Sequence, residues 1–408
     1  MEGDHKAKKS SDKRAVSKKK RVASQTSGIL RGVLRNDDIK IIVKGITAAA
    51  ALISVVMLIV AGADLRPSAV VQGFRDKYAF THASGEGFPV SFTGNRIVGI
   101  SNVKRGTAVL TNTKCLVVDG NGRQVSSVNH LLSSPEMESD GGYILLFDSM
   151  GKDYTVRTLS GEKCSGVTEN SIICADMSAS GVFALVTNSE TNNARLAVYS
   201  PDGGVLHKWK SVNYKISDVA VSPSGQYIAV CGYSTGDGVL VTTVILQKVG
   251  IKRNLKEFKF ENTLIADIEF DGNSKLVAVG DEFATFLSVK DDNNTIYDYN
   301  GRTLNSYDLS EDGDLALVFS EHSDGRNSSV VVIGADTKEK AVIETEMTAP
   351  YVDLENGRVN LLYQSDVSSY NYKGKLLRQS EVQADCQSVL TSGGRLLAKG
   401  VMYLGEVE

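Results

Sequence analysis

The residues Gly232-Tyr233-Ser234-Thr235-Gly236 have the G-x-S-x-G spacing of a nucleophile elbow, in which a serine on a strained strand-to-helix turn attacks an acyl carbon. That chemistry needs a strand before the serine and a helix after it. The strand pattern YIAVC does precede Ser234, but GVLVTTVIL follows, a β-branched run that predicts another strand. Ser234 is therefore read as part of a Gly-rich turn. The histidines His82, His130, His207 and His322 are isolated, and no H-E-x-x-H pair exists, so a metal site would have to be assembled from distant segments. The acidic runs Asp291-Asp292-Asn293-Asn294 and Glu311-Asp312-Gly313-Asp314 lack the distal glutamate of a calcium loop. Gly120-Asn121-Gly122 lacks the third glycine and the following helix of a phosphate-binding loop. No catalytic, cofactor-binding or metal-binding residue is assigned from the sequence.

The elements that would position such residues form a repeat. After residue 64 the chain alternates short apolar runs with Gly, Asn, Asp and Ser clusters, the pattern of strands and turns. One unit recurs as ADMSASGVFALV (175–186), VAVSPSGQYIAV (219–230), IEFDGNSKLVAV (268–279), YDLSEDGDLALV (307–318) and VDLENGRVNLLY (352–363). Weaker copies begin at Val90, Glu136 and Ser388. The turn glycines are Gly94, Gly141, Gly181, Gly225, Gly272, Gly313, Gly357 and Gly393, with a mean spacing of about 43 residues, the size of one four-stranded propeller blade. A second turn recurs at Asp119, Ser200, Tyr299 and Tyr372 and is expected to join the outer two strands of a blade. The fold predicted is all-β: a β-propeller over 64–408 with eight blades. Seven is the alternative, because Phe88–Phe92 also reads as an outer strand. The last unit is one strand short at Glu408, and residues 70–80 are expected to supply that strand and close the ring.

These units resemble the propeller repeats of the WD-repeat and quinoprotein-like superfamilies, without the Gly-His and Trp-Asp marks of true WD repeats. Gly203-Gly204-VLHK-Trp209 is similar to the G-x-x-x-W ending of quinoprotein repeats, with one residue too many. The chain has only this Trp and no adjacent Cys pair to set against a quinone, so Trp209 is read as an aromatic packed between blades. Cys115, Cys164, Cys174, Cys231 and Cys386 are odd in number. Cys174, Cys231 and Cys386 lie in or beside apolar strands, where buried thiols are usual, and a Cys164–Cys174 bridge is left open.

Before the propeller stands an uncharged run, Gly45 to Ala63, at the end of an apolar stretch over 39–63. Nineteen residues make a helix of about 28 Å, near the hydrocarbon thickness of a bilayer. The first 44 residues hold 13 Lys/Arg and 5 Asp/Glu, a charge of +8; the remainder holds 32 and 43, a charge of −11. The basic flank predicts an N-terminus in the cytoplasm and an extracytoplasmic C-terminal domain. The span reads as an uncleaved signal anchor rather than a cleaved signal peptide, its apolar core being too long. Residues 1–38, rich in Lys and Ser, are expected to be a disordered tail touching anionic lipid headgroups, not nucleic acid. The whole layout resembles a family of bacterial single-span proteins with an exported propeller, and the resemblance implies a fold and a topology, not a reaction. The function read here is a binding or scaffolding module at the cell envelope, without a cofactor, taking a protein or glycan ligand on one propeller face. A propeller enzyme and a ligand sensor are the alternatives.

Overall fold

Eight four-stranded antiparallel sheets follow one another along the chain. The computed structural model describes residues 67–236, 238–292, 294–320 and 326–408. The expected basic tail (1–38), the span (39–63) and His322 lie outside the described residues. Among the described residues no helix is long and apolar enough to cross a membrane. Two units divide the chain, residues 1–73 and 74–408, and the second holds all the sheets.

The sheets are the blades of a propeller. Blades 1 to 7 are residues 97–129, 135–167, 172–211, 215–261, 265–298, 303–347 and 351–381; blade 8 is 388–406 together with Val90–Ser91. Within blades 1 to 7 the strands run outward in chain order from the axis, and in blade 8 Val90–Ser91 is the outermost strand. The second strand is covered by blades on both sides and reads as a continuous apolar run, as in Leu315–Ser320 and Gly106–Thr111, where every residue is buried. The fourth strand alternates, as in Asn294–Asp298. Each of the eight apolar clusters joins two neighbouring blades, so no blade has a core of its own.

The count of eight agrees with the repeat, although one of its marks does not. Seven of the turn glycines lie between the first and second strands of blades 2 to 8. Gly94 instead follows the closing strand, and blade 1 makes its inner turn at Lys104-Arg105, with Lys104 at a φ of 48°. Blade 1 carries no turn glycine, so its repeat is hidden. The second turn joins the outer strands at Asp119, Ser200 and Tyr372, but Tyr299-Asn300-Gly301 links blade 5 to blade 6.

Ring closure corrects a second expectation. Residues 70–80 are not a strand but most of helix α1 (Pro67–Thr81). Pro67 at its first position needs no N–H partner, and Gln72, Arg75 and Lys77 are good helix formers. Asp76 is buried and ion-paired with Lys104, while Phe80 packs on the apolar cluster between blades 1 and 2. The missing outer strand is Val90–Ser91, paired as Val90↔Leu404 and Ser91↔Tyr403. The two ends of the propeller do share one sheet, through a much shorter segment.

Blade neighbours approach closely at the inner turns. Gly225 has a φ of +69°, and a Cβ there would lie 2.6 Å from Val182 Cγ2 of the preceding blade. Gly225→Ala is expected to lose about 1–3 kcal/mol of stability, read from the urea midpoint, through backbone strain and overpacking together. An unchanged midpoint would count against this contact.

Candidate functional site

Acidic residues recur in the first, innermost strand of successive blades, and they form a ring of links around the axis. Asp140 of blade 2 accepts the Ala179 N–H of blade 3. Asp176 Oδ2 accepts Val221 N of blade 4 at 2.6 Å, and Asp218 Oδ2 accepts Ile268 N of blade 5 at 2.8 Å. Asp267 of blade 5 accepts from the Tyr307 hydroxyl of blade 6. Asp308 Oδ2 accepts Leu354 N of blade 7 at 2.6 Å. Asp353 Oδ1 accepts Thr391 N of blade 8 at 2.7 Å. Neutral groups complete the circle. Asn102 Nδ2 of blade 1 donates to Thr391 O at 3.0 Å, and Ser139 Oγ of blade 2 donates to Asn102 O at 2.8 Å.

Bulges help to aim these side chains. The register of the first two strands shifts between Ile172 and Cys174, Ile216 and Asp218, Ile265 and Asp267, and Leu304 and Ser306. Asp218 and Asp267 follow their bulges directly; Asp176, Glu269 and Asp308 stand two residues further on. The two-residue period of a strand keeps both tiers on one face.

Crowding and burial hold many of these carboxyls protonated well above the usual range. Burial pushes Asp176 and Asp308 up to about 7, against the lowering effect of their backbone N–H partners. Glu269 reaches water inside the ring but is walled by protein, and desolvation with the charges of Asp267 and Asp176 pushes it to about 8. Glu138, set among Asp176, Asp218 and Asp267, is raised strongly by desolvation and then by those charges. Asp218 and Asp267 are hydrogen-bonded to each other, and both are raised, first by burial. Such a pair shares one proton and titrates as a unit.

This arrangement ties blades together. The hydrogen-bonded Asp218–Asp267 pair is closer than the two carboxyls of a hydrolytic dyad, which stand about 5 Å or more apart to flank a glycosidic bond. Among the described residues no group of three or more His, Cys, Asp or Glu converges to hold a metal. A cavity of about 120 Å³ opens beside Asp267, Glu269, Tyr307 and Asp308.

The residues singled out by sequence are scattered. Ser234 lies within the strand Tyr227–Gly236, paired with Val241, and no helix follows. His82 stacks on Tyr78, His130 Nε2 lies 2.9 Å from Thr111 O, and His207 Nε2 lies 3.2 Å from Gln247 Oε1. Trp209, in the outer strand of blade 3, packs against the cluster shared with blade 4. Asp292 pairs with Lys256 at 3.3 Å, and Asp314 pairs with Lys340 at 2.5 Å while accepting the Tyr372 hydroxyl. All five cysteines are free, so Cys164 and Cys174 are not bridged. Burial raises the Cys115 and Cys231 thiols to about 12, where they are inert. The carboxylate ring was the feature that motif searching missed. Its signal was an acidic residue inside an otherwise apolar strand, repeated in ADMS, YDLS and VDLE.

With ring, turns and closure in place, the sequence between Thr93 and Met402 matches the profile of one family. The chain belongs to a family of unknown function, DUF5711. The match covers residues 93–402, nearly the whole ring. No curated protein matches the sequence. Among solved structures, BamB from Moraxella catarrhalis is similar over 78% of this chain and 99% of that one, with a TM-score of 0.52 and 11% identity. A eukaryotic initiation factor is similar over 76% and 88%, with a TM-score of 0.51 and 12% identity. The WD40 domain of Neurospora crassa Pan2 is similar over 54% and 71%, at 16% identity and a TM-score of 0.42. At such identities the likeness to BamB and the initiation factor is one of fold. This DUF5711 member is an eight-bladed propeller, similar in fold to BamB.

Proposed function

We propose that this propeller is a membrane-anchored binding or scaffolding module at the cell envelope, its ligand a protein or a glycan held on one face of the ring. The observation that carries the reading is the use made of the axial carboxylates. The residues best suited to acid–base chemistry accept bonds from the next blade, so the ring is a scaffold first. The anchor rests on the uncharged run Gly45–Ala63, and the orientation on +8 before it against −11 after it. The basic tail would lie against anionic headgroups on the inner side.

A phosphatase reporter fused after Glu408, active only when exported, tests the topology. Activity comparable to an exported control is expected. An inactive fusion, with activity from the matching cytoplasmic reporter, would reverse the orientation and remove the envelope role.

A further inference from the structure

We propose that the cleft between blades 7 and 8 binds a small anion carried on a polyhydroxylated ring, the chemistry of an acidic sugar. This assignment rests on the binding-module reading and names a site and ligand class for it.

The cleft has a volume of about 600 Å³, against about 290 Å³ for the one between blades 1 and 2. That size suits a small ligand. It exists because the apolar cluster at this junction is the smallest of the eight, reduced to Leu362, Val367, Val389, Ala398 and Val407. Polar residues stand in its place and form a floor. Asp353 accepts Thr391 N at 2.7 Å, Thr391 Oγ1 at 2.6 Å and Asn360 Nδ2 at 2.8 Å, and Ser369 Oγ donates to Asn360 Oδ1 at 2.6 Å. Every hydroxyl proton of Thr391 and Ser369 is thus committed inward. Their oxygens keep lone pairs, so the floor offers acceptors in fixed positions.

The rim offers the opposite. Arg358, Arg378 and Arg395 line the same cleft. Arg395 is held by Glu406 at 2.5 Å and Asn121 at 3.1 Å, and Arg378 donates to Val407 O. Arg358 is exposed, and its guanidinium makes no hydrogen bond or ion pair among the described residues. A guanidinium carries five N–H donors in a planar fork suited to carboxylate or phosphate. Three arginines, Arg358, Arg378 and Arg395, stand against two carboxylates, Glu355 and Glu406, and Glu406 is already paired with Arg395, which leaves a positive surplus at the rim. Donors above and acceptors below fit a ligand with an anionic group at one end and hydroxyl donors at the other. Uronic acids and sugar phosphates both meet this description.

Isothermal titration of the full chain with glucuronate and with glucose 6-phosphate tests the assignment and separates the two anion types. At least one is expected to bind, with glucose and inorganic phosphate each about tenfold weaker or more, because each lacks one half of the recognition. Arg358→Ala is expected to weaken the binding acid sugar about tenfold, Arg358→Lys to recover part of it, and Arg253→Ala, on blade 4, to leave it unchanged. Binding of neither sugar at millimolar concentration overturns the proposal. So does an Arg358→Ala variant that binds like the parent, or inorganic phosphate that binds as tightly as the sugar phosphate. None of these outcomes alters the reporter result, so the site and the envelope reading fail separately.

Discussion

Raising the pH from about 5 to about 8 is expected to lower the melting temperature of the propeller by about 6 °C, the reverse of a protein stabilised by ionised carboxylates. Asp176 and Asp308 sit near 7 in the folded ring, and the Asp218–Asp267 pair is raised as well. In the unfolded chain an aspartate titrates near 3.9. Between those values the folded state binds more protons than the unfolded state, so stability falls as pH rises through the window. Below about pH 4 both states are protonated and the contribution is complete. Allowing about 1.4 kcal/mol for each of Asp176, Asp308 and the pair, well under the full value because water reaches into the ring, gives about 4 kcal/mol. At about 1.5 °C per kcal/mol for a ring of this length this is the expected change. Asp267→Asn should flatten the profile and melt above the parent at the alkaline end, since its amide can donate permanently to Asp218 and its carbonyl can accept from Tyr307. Scanning calorimetry across the window decides, and a melting temperature that is constant or rises with pH would refute the protonated ring.

Phe92→Ala is expected to cost about 3–5 kcal/mol, while Tyr78→Ala on α1 costs less than about 0.5 kcal/mol. Phe92 is 7% exposed and sits in the cluster that joins blade 8 to blade 1, with Ile97, Val109, Leu397 and the fully buried Leu404. Its N–H also bonds to Met402 O at 2.8 Å. Removing the ring therefore leaves a cavity at the one junction where the chain ends meet, and the closing strand has only two paired residues with which to compensate. Tyr78 is 65% exposed. Urea midpoints of the full chain separate the two. Equal losses, or an unperturbed Phe92→Ala, would return closure to the helix segment.

The propeller was legible because its information is periodic. Turn glycines at inner hairpins and apolar second strands recur wherever a strand is covered on both faces, and that pattern survives in one sequence. What was illegible is what breaks the period. Blade 1 turns at Lys104 with no glycine, and the two-residue closing strand lies within Phe88–Phe92, a segment that reads as an outer strand only on the seven-blade alternative. Residues 70–80 are ambiguous because Val70, Val71, Phe74 and Phe80 satisfy either element, and Pro67 at the first position of α1 decides for the helix. The carboxylate ring escaped for a different reason. A single Asp in each apolar strand has no partner nearby in sequence. Each carboxylate link from one blade to the next spans 38 to 50 residues, so it becomes visible only when the blades stand side by side. The cleft between blades 7 and 8 is likewise a property of two blades, not of either sequence alone.

The direction of the axial links has a consequence for how such rings grow. From blade 2 to blade 7 one carboxyl of each blade reaches forward to a donor, and each blade from 3 to 8 offers that donor backward, so these blades behave as head-to-tail tiles with a matched plug and socket. A duplication of blade 3 or blade 6 would reproduce both halves of the joint and enlarge the circle without a mismatched seam. Blade 8 receives but sends no carboxyl, and blade 1 uses only Asn and Ser groups at both of its joints. A copy of either would meet a carboxylate-built neighbour with the wrong end. The segment from blade 8 through blade 1 is thus the clasp of the chain, and changes of blade number in related sequences should fall among blades 3 to 7, away from it.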